Sequence, residues 1–179
     1  MTSRKAEPLP RIVAWLGYGG LIPFVALAAG AVISGSASSP SVHTPPLWQA
    51  ALVVYGAAIL SFVGALHWGF AMALRGLTAP QRAACFVWSV VPALVAWVAC
   101  IASIALLVPT DASDHLPPGV APALLVAGFC VHYARDRSLA AHADLPAWYL
   151  PMRFRLTTVA CLCLTVPILA SFLSRFLVR

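Results

Sequence analysis

The chain alternates between long apolar runs and short polar connections. Five runs read as membrane-spanning helices, each of which needs roughly 20 mainly apolar residues. They cover about residues 11–34, 47–74, 82–108, 118–134 and 152–173. The pattern predicts an all-α, polytopic membrane protein. We expect one bundle of five transmembrane helices over residues 11–174, after a polar tail at residues 1–10.

Prolines interrupt three of these runs. Pro23, Pro92 and Pro167 lie inside the first, third and fifth runs. Because proline removes one helical hydrogen bond, we expect a kink at each position.

The positive charges are divided unequally between the two ends of the predicted bundle. With a cytoplasmic N-terminus, the inner segments hold nine Lys and Arg residues, whereas the outer segments hold only Arg175 and Arg179. This asymmetry predicts a cytoplasmic N-terminus and an external C-terminus. The fourth run is short, so it can span only if it is nearly upright or the bilayer thins. If the fourth run did not span, Arg137 would lie on the same side of the membrane as the Arg-free connection that precedes this run.

The composition excludes an ordinary soluble domain. Charged residues make up 9% of the chain and apolar residues 61%, whereas soluble domains are about a quarter charged. The net charge of +6 does not indicate nucleic acid, because the basic residues sit in short connections between apolar runs. We expect a bilayer as surroundings, in the inner membrane of a bacterium. The five cysteines lack zinc spacing, and no catalytic, metal-binding or cofactor-binding pattern stands out.

Three motifs carry a resemblance to a known family: LGYGGLIPF at residues 16–24, ILSFVGALHWGF at 59–70 and WYLPMRFRLT at 148–157. The chain resembles the transmembrane protein 69 family from about residue 11 to residue 172. That group has bacterial and mitochondrial members and is catalogued as a domain of unknown function. The resemblance implies a multi-helix membrane protein and implies no reaction.

His67 is the histidine placed deepest in an apolar run. An ionisable group in a span usually faces the bundle interior and has a partner. One interpretation is structural: a neutral ring that donates to a backbone carbonyl freed by Pro23 or Pro92. The functional interpretations are a proton relay, a haem ligand or a contact to a ligand in a cavity. The predicted ligand-binding residues are His67, Trp68, Tyr18 and Ser61.

The haem interpretation needs a second axial ligand or an open site. His132 is the other histidine near a span, and its depth is expected to differ from that of His67 by roughly 7 Å at 1.5 Å per helical residue. No acidic residue is expected within the spans.

The connection at residues 135–151 is rich in arginine and aromatic residues. Arginines there can hold anionic lipid headgroups, and the aromatic residues suit the membrane interface. We also expect Asp136 to pair with Arg153. The predicted headgroup or anion site consists of Arg135, Arg137, Trp148, Tyr149 and Arg153.

Small residues recur along the second run, where they allow helices to approach closely. The predicted helix-packing residues are Ala57, Ser61, Ala65, Gly69, Gly17 and Gly20. This stripe favours a non-catalytic function as a packing or assembly partner of another membrane protein or of a second copy. The alternative is binding or transport of a small hydrophobic or amphiphilic molecule near His67.

Overall fold

The computed structural model describes residues 8–37, 47–106, 117 and 119–177, and within these ranges the chain is helical and contains no strand. The all-α prediction is confirmed. The helices are α1 (Arg11–Gly19), α2 (Leu21–Ala37), α3 (Leu47–Ala73), α4 (Ala79–Ala105), α5 (Val120–Ala140) and α6 (Tyr149–Leu177).

Among the described residues, four segments are long and apolar enough to cross a membrane. They are Arg11–Ser34, which joins α1 and α2, then Leu47–Ala73, Ala79–Ala105 and Tyr149–Leu173. Helix α5 has 21 residues and carries Arg135, Asp136 and Arg137 in its second half. It lies outside this set, although it packs against α3, α4 and α6 in the same bundle.

The first span is divided at Gly20, three residues before the expected kink. Helix α1 ends there, and the backbone carbonyl of Gly20 accepts a 2.8 Å hydrogen bond from the Tyr55 hydroxyl of α3. Pro23 falls in the first turn of α2, where backbone N–H groups have no intrahelical partner, so the missing donor costs little. Helices α4 and α6 continue through Pro92 and Pro167.

Helix α3 lies at the centre and contacts α2, α4, α5 and α6. Glycine permits the closest approaches. A Cβ added at Gly64 would lie 2.7 Å from Pro92 of α4, and one at Gly128 of α5 would lie 2.6 Å from Leu60. The main apolar core includes Phe24, Leu52, Leu60, Leu125, Phe129 and Leu164.

Helix α4 begins three residues earlier than predicted because Thr78 caps it. The Thr78 hydroxyl accepts from the backbone N–H of Gln81, and the Gln81 side chain accepts from the Thr78 backbone N–H at 2.9 Å. Arg82 then donates to the backbone carbonyls of Ala71 and Leu74, near the end of α3. The α3–α4 connection is thereby tied to both helices.

The fourth and fifth predicted runs also have different ends. Helix α5 continues to Ala140, six residues beyond the predicted end at residue 134, and α6 begins at Tyr149 rather than at residue 152. Polar residues extend both helices into the predicted connection. The predicted tail falls largely, and the connections 35–46 and 109–117 mostly, outside the described residues.

Candidate functional site

Asp136 is the centre of a buried polar group on three helices. It is fully buried on α5, and its Oδ2 accepts a 2.8 Å hydrogen bond from Nε of Arg153 on α6. Nε2 of His67 on α3 lies 3.7 Å from the other carboxylate oxygen, Oδ1. The expected pairing of Asp136 with Arg153 is confirmed. The expectation that no acidic residue lies near His67 inside the bundle is wrong, because α5 extends past Asp136.

His132 joins the group from one turn earlier on α5. Residues four apart share a helix face, and Nε2 of His132 lies 3.8 Å from Oδ2 of Asp136. The rings of His132 and His67 meet edge to face, with centroids 4.9 Å apart. The predicted difference in depth between His67 and His132 is wrong. The predicted run ended at residue 134, two residues after His132, whereas α5 ends at Ala140, eight residues after it. Since the two rings touch, this arrangement leaves no room for a macrocycle between them.

Trp88 of α4 fixes the orientation of His132. The indole N–H of Trp88 donates a 3.1 Å hydrogen bond to Nδ1 of His132. Indole nitrogen is a donor only, so Nδ1 accepts, and a neutral His132 ring carries its proton on Nε2. The guanidinium of Arg135 lies over the Trp88 ring, 5.1 Å from the ring centre.

Tyr149 completes what we call the polar cluster: His67, His132, Asp136, Tyr149 and Arg153. Its hydroxyl is buried, and the side chains of Asp136 and Arg153 lie near it. Its ring packs edge-on against Phe70, with centroids 5.7 Å apart.

The polar cluster contains many polar atoms without a protein partner. Within the described residues, every buried side-chain nitrogen or oxygen that lacks a protein hydrogen bond belongs to it. These atoms are His67 Nδ1 and Nε2, His132 Nε2, Asp136 Oδ1, Tyr149 Oη and Arg153 Nη2. Native proteins leave few such atoms, and each calls for an explanation.

The polar cluster lies between two apolar layers. On one side the main core approaches it through Leu60, Val63 and Phe129. On the other side, one turn further along α3 and α5, a second apolar group contains Ala71, Leu77, Cys85 and Leu139. The polar cluster is therefore enclosed within the bundle, near the end that carries the arginine-rich connections.

The arrangement can coordinate a cation. His67, His132 and Asp136 each offer one ligand atom, and the three atoms lie within 4.8 Å of one another. Imidazole nitrogen and carboxylate oxygen are both ligands of zinc and related ions. No metal site was predicted from the sequence, because His67 is far along the chain from His132 and Asp136.

Among the predicted ligand-binding residues, the structure brings His67 into the polar cluster. The other three have their described contacts elsewhere. Tyr18 accepts a long 3.4 Å hydrogen bond from Arg155, Trp68 meets Phe86 edge-on, and Ser61 donates to the carbonyl of Ala57. Trp68 follows His67 directly on the helix, so it points about 100° away and is half-exposed.

The predicted anion-binding residues separate into two groups. Tyr149 and Arg153 are buried in the polar cluster, where Arg153 is already paired. Arg135 and Arg137 are exposed, and Trp148 is half-buried. A lipid headgroup can reach the exposed arginines, whereas the guanidinium of Arg153 is paired with Asp136 inside the bundle.

The predicted packing residues also occupy different environments. Ala57 is buried and Ser61 half-buried, but Ala65 and Gly69 are exposed, and a Cβ at Gly69 would meet no atom within 4 Å. The packed face of α3 instead runs through Gly56, Leu60, Gly64, His67 and Ala71. In the first span, Gly17 faces the side chain of Met152, and Gly20 lies next to the Tyr55 hydroxyl.

The sequence did not predict that Asp136 lies beside His67 and His132, or that Trp88 donates to His132. A signal was present in HYARD at residues 132–136, because a histidine and an aspartate four residues apart share one helix face. Ending the helix at residue 134 concealed that relation. The pairing with Trp88 is tertiary, and no local pattern marks it.

Comparison with known proteins agrees with a membrane protein. A family described as "Protein of unknown function (DUF3429)" matches residues 9–169. Transmembrane protein 69 of Xenopus tropicalis is 30% identical over 162 residues, which cover 88% of this chain and 53% of that protein. The chain thus spans about half the length of this curated relative. No solved structure matches. The chain is a multi-pass membrane protein that is similar to transmembrane protein 69, and it belongs to the DUF3429 family.

Proposed function

We propose that the protein binds a small ligand inside its membrane domain, at the polar cluster. The observation that carries this proposal is the gathering of all unpartnered buried side-chain polar atoms of the described residues in that one place. Ionisable groups within a membrane are expensive to bury, and they commonly mark ligand sites or ion pathways. A helix bundle that only packs against neighbours has no need of five such side chains in contact.

The surroundings of the polar cluster favour a ligand that is small and polar. Apolar layers lie on both sides of the polar atoms. Two surface grooves are present elsewhere. One of about 300 Å³ lies between α5 and α6 and includes Cys130 and Phe154, and the other includes Trp15 and Tyr18. A hydrophobic or amphiphilic molecule would fit the grooves better than the polar cluster.

Native mass spectrometry of the protein, released from its own membrane with lipid, tests this proposal. We expect a retained small ligand or ion in the natural protein and its loss in His67→Ala. His142→Ala is the matched control, because His142 is exposed and its described contact is with the Ser138 carbonyl of its own turn. Equal retention in His67→Ala and the natural protein would refute the proposal, as would no retained species in either.

A second candidate function, assembly with another membrane protein, has its own support. Ala65 and Gly69 expose a smooth side of α3 to the surroundings, and small residues let helices from different proteins approach closely. Gly69→Leu should then abolish co-purification of a stoichiometric partner without changing the stability of the isolated protein. An unchanged partner in Gly69→Leu would count against this function.

We also propose that the arginine-rich end of the bundle faces the cytoplasm and that α5 crosses the membrane. The α3–α4 and α5–α6 connections lie at that end, together with Arg75, Arg82, Arg135, Arg137 and Arg155. Arg155 contacts Tyr18 of α1, which brings the first helix to the same end. The positive-inside rule then places the N-terminus in the cytoplasm and the C-terminus outside. A bacterial inner membrane is the location that we propose.

A further inference from the structure

We propose that the ligand of the polar cluster is one divalent transition-metal ion, held by Nε2 of His67, Nε2 of His132 and Oδ1 of Asp136. The inference rests on the proposed function and names the chemical class of its ligand. It concerns ions that imidazole binds well, such as zinc.

The three proposed ligand atoms are available to bind an ion. The three proposed ligand atoms are buried, and none has a protein hydrogen-bond partner. Nε2 of His67 is 3.7 Å from Oδ1 of Asp136. Two ligands held at about 2.1 Å from one zinc ion lie roughly 3 to 4 Å apart. Little movement is therefore needed for His67 and Asp136 to close on an ion.

Arg153 orients the carboxylate of Asp136. Ligating carboxylates are commonly held by hydrogen bonds to their other oxygen, which orient them. Arg153 donates to Oδ2 and leaves Oδ1 free. Arg153 also places a positive charge beside the site. It therefore orients the carboxylate while weakening the attraction for a cation.

Trp88 adds a constraint that makes the inference specific. A neutral histidine that binds a metal through Nε2 carries its proton on Nδ1. In the described structure, Nδ1 of His132 accepts from the indole N–H of Trp88. Metal binding must therefore break this hydrogen bond, and Trp88 acts against binding. A role for Trp88 in packing alone predicts no such opposition.

Zinc titration of the chelator-treated, purified full chain tests the proposal by calorimetry. We expect one zinc ion per chain, and affinity reduced about tenfold or more in both His67→Ala and His132→Ala. His142→Ala, which alters an exposed histidine, should bind as the natural protein does. Trp88→Phe keeps an aromatic ring and removes the N–H, so it should bind zinc about two- to tenfold more tightly, the range of a single hydrogen bond.

The outcomes separate the metal inference from the proposed function. Unchanged or weaker zinc binding in folded Trp88→Phe would overturn the proposed coordination, as would zinc binding that survives in His132→Ala. If zinc fails to bind while native mass spectrometry finds another species that His67→Ala loses, the metal inference falls and the proposed function stands. If neither zinc nor any other species is bound, both are wrong. Thermal unfolding of each variant identifies any that fails to fold, and Trp88→Phe remains decisive because it needs no loss of binding.

Discussion

Nε of Arg153 on α6 donates a 2.8 Å hydrogen bond to Oδ2 of Asp136 on α5, inside the bundle. The two residues are 17 positions apart, and both are buried. The pair joins the last two helices next to the two histidines. It gives the Asp136 carboxylate a buried partner at a place where an isolated charge would be very costly.

The Asp136–Arg153 pair leads to a prediction about stability. Arg153→Met should lower the free energy of unfolding by about 3–5 kcal/mol, because it leaves the Asp136 charge buried without its partner. Adding Asp136→Val should recover much of that loss. The matched control is Arg155→Met, which removes an exposed arginine from the same helix turn. Denaturant titration in detergent measures the difference, and equal stability of the two single variants would contradict the prediction.

Helix packing at Gly64 gives a second prediction. Gly64→Ala places a methyl group 2.7 Å from Pro92, and such overpacking typically costs about 1–3 kcal/mol. Gly69→Ala is the control on the same helix, since its Cβ meets no atom within 4 Å. Alanine should be neutral or slightly stabilising there. If both variants lower the unfolding temperature equally, the packed face of α3 is placed incorrectly.

The capping box of α4 gives a third prediction. Thr78→Ala should cost about 1 kcal/mol, because the backbone N–H of Gln81 loses its acceptor. Thr158→Ala provides the comparison, since its exposed hydroxyl only returns to the carbonyl of Phe154. That change should stay within about 0.5 kcal/mol. Chemical denaturation distinguishes the two, and a larger effect at Thr158 would argue against the cap.

Topology is tested most sharply at the two ends of α5. In a background without cysteine, Pro117→Cys and Ala141→Cys place single thiols before and after this helix, both at exposed positions. If α5 crosses the membrane, an impermeant reagent should label residue 117 from the outside and residue 141 only in inverted vesicles. Labelling of both from one side would remove α5 as a span.

The sequence could predict the apolar segments because length and hydropathy act locally. It also predicted that Asp136 pairs with Arg153, and this pair is present. It could not place the end of α5. Arg135, Asp136 and Arg137 look like a solvated connection, and only the tertiary contacts of Asp136 show that the helix continues through them.

The candidate site was predictable only in parts, at His67 and at the pair of Asp136 with Arg153. The other members of the polar cluster lie on α5 and α6, and their contact with His67 depends on packing rather than on residue spacing. The small-residue stripe misled for a related reason. Residues 57, 61, 65, 69 and 73 recur every four positions, and this row drifts around a helix of 3.6 residues per turn. It begins at the buried Ala57 and reaches the exposed Gly69.

Replacing the polar cluster by apolar residues tests most directly whether it serves binding or structure. The variant carries His67→Leu, His132→Leu, Asp136→Val, Tyr149→Phe and Arg153→Met together. Apolar replacement of a complete buried ionic group is often neutral or stabilising, by about 1–4 kcal/mol. We predict that the free energy of unfolding of the variant equals or exceeds that of the natural protein. We also predict that the variant retains no ligand in native mass spectrometry. A clear loss of stability, or undiminished ligand retention, would contradict a binding role for the polar cluster.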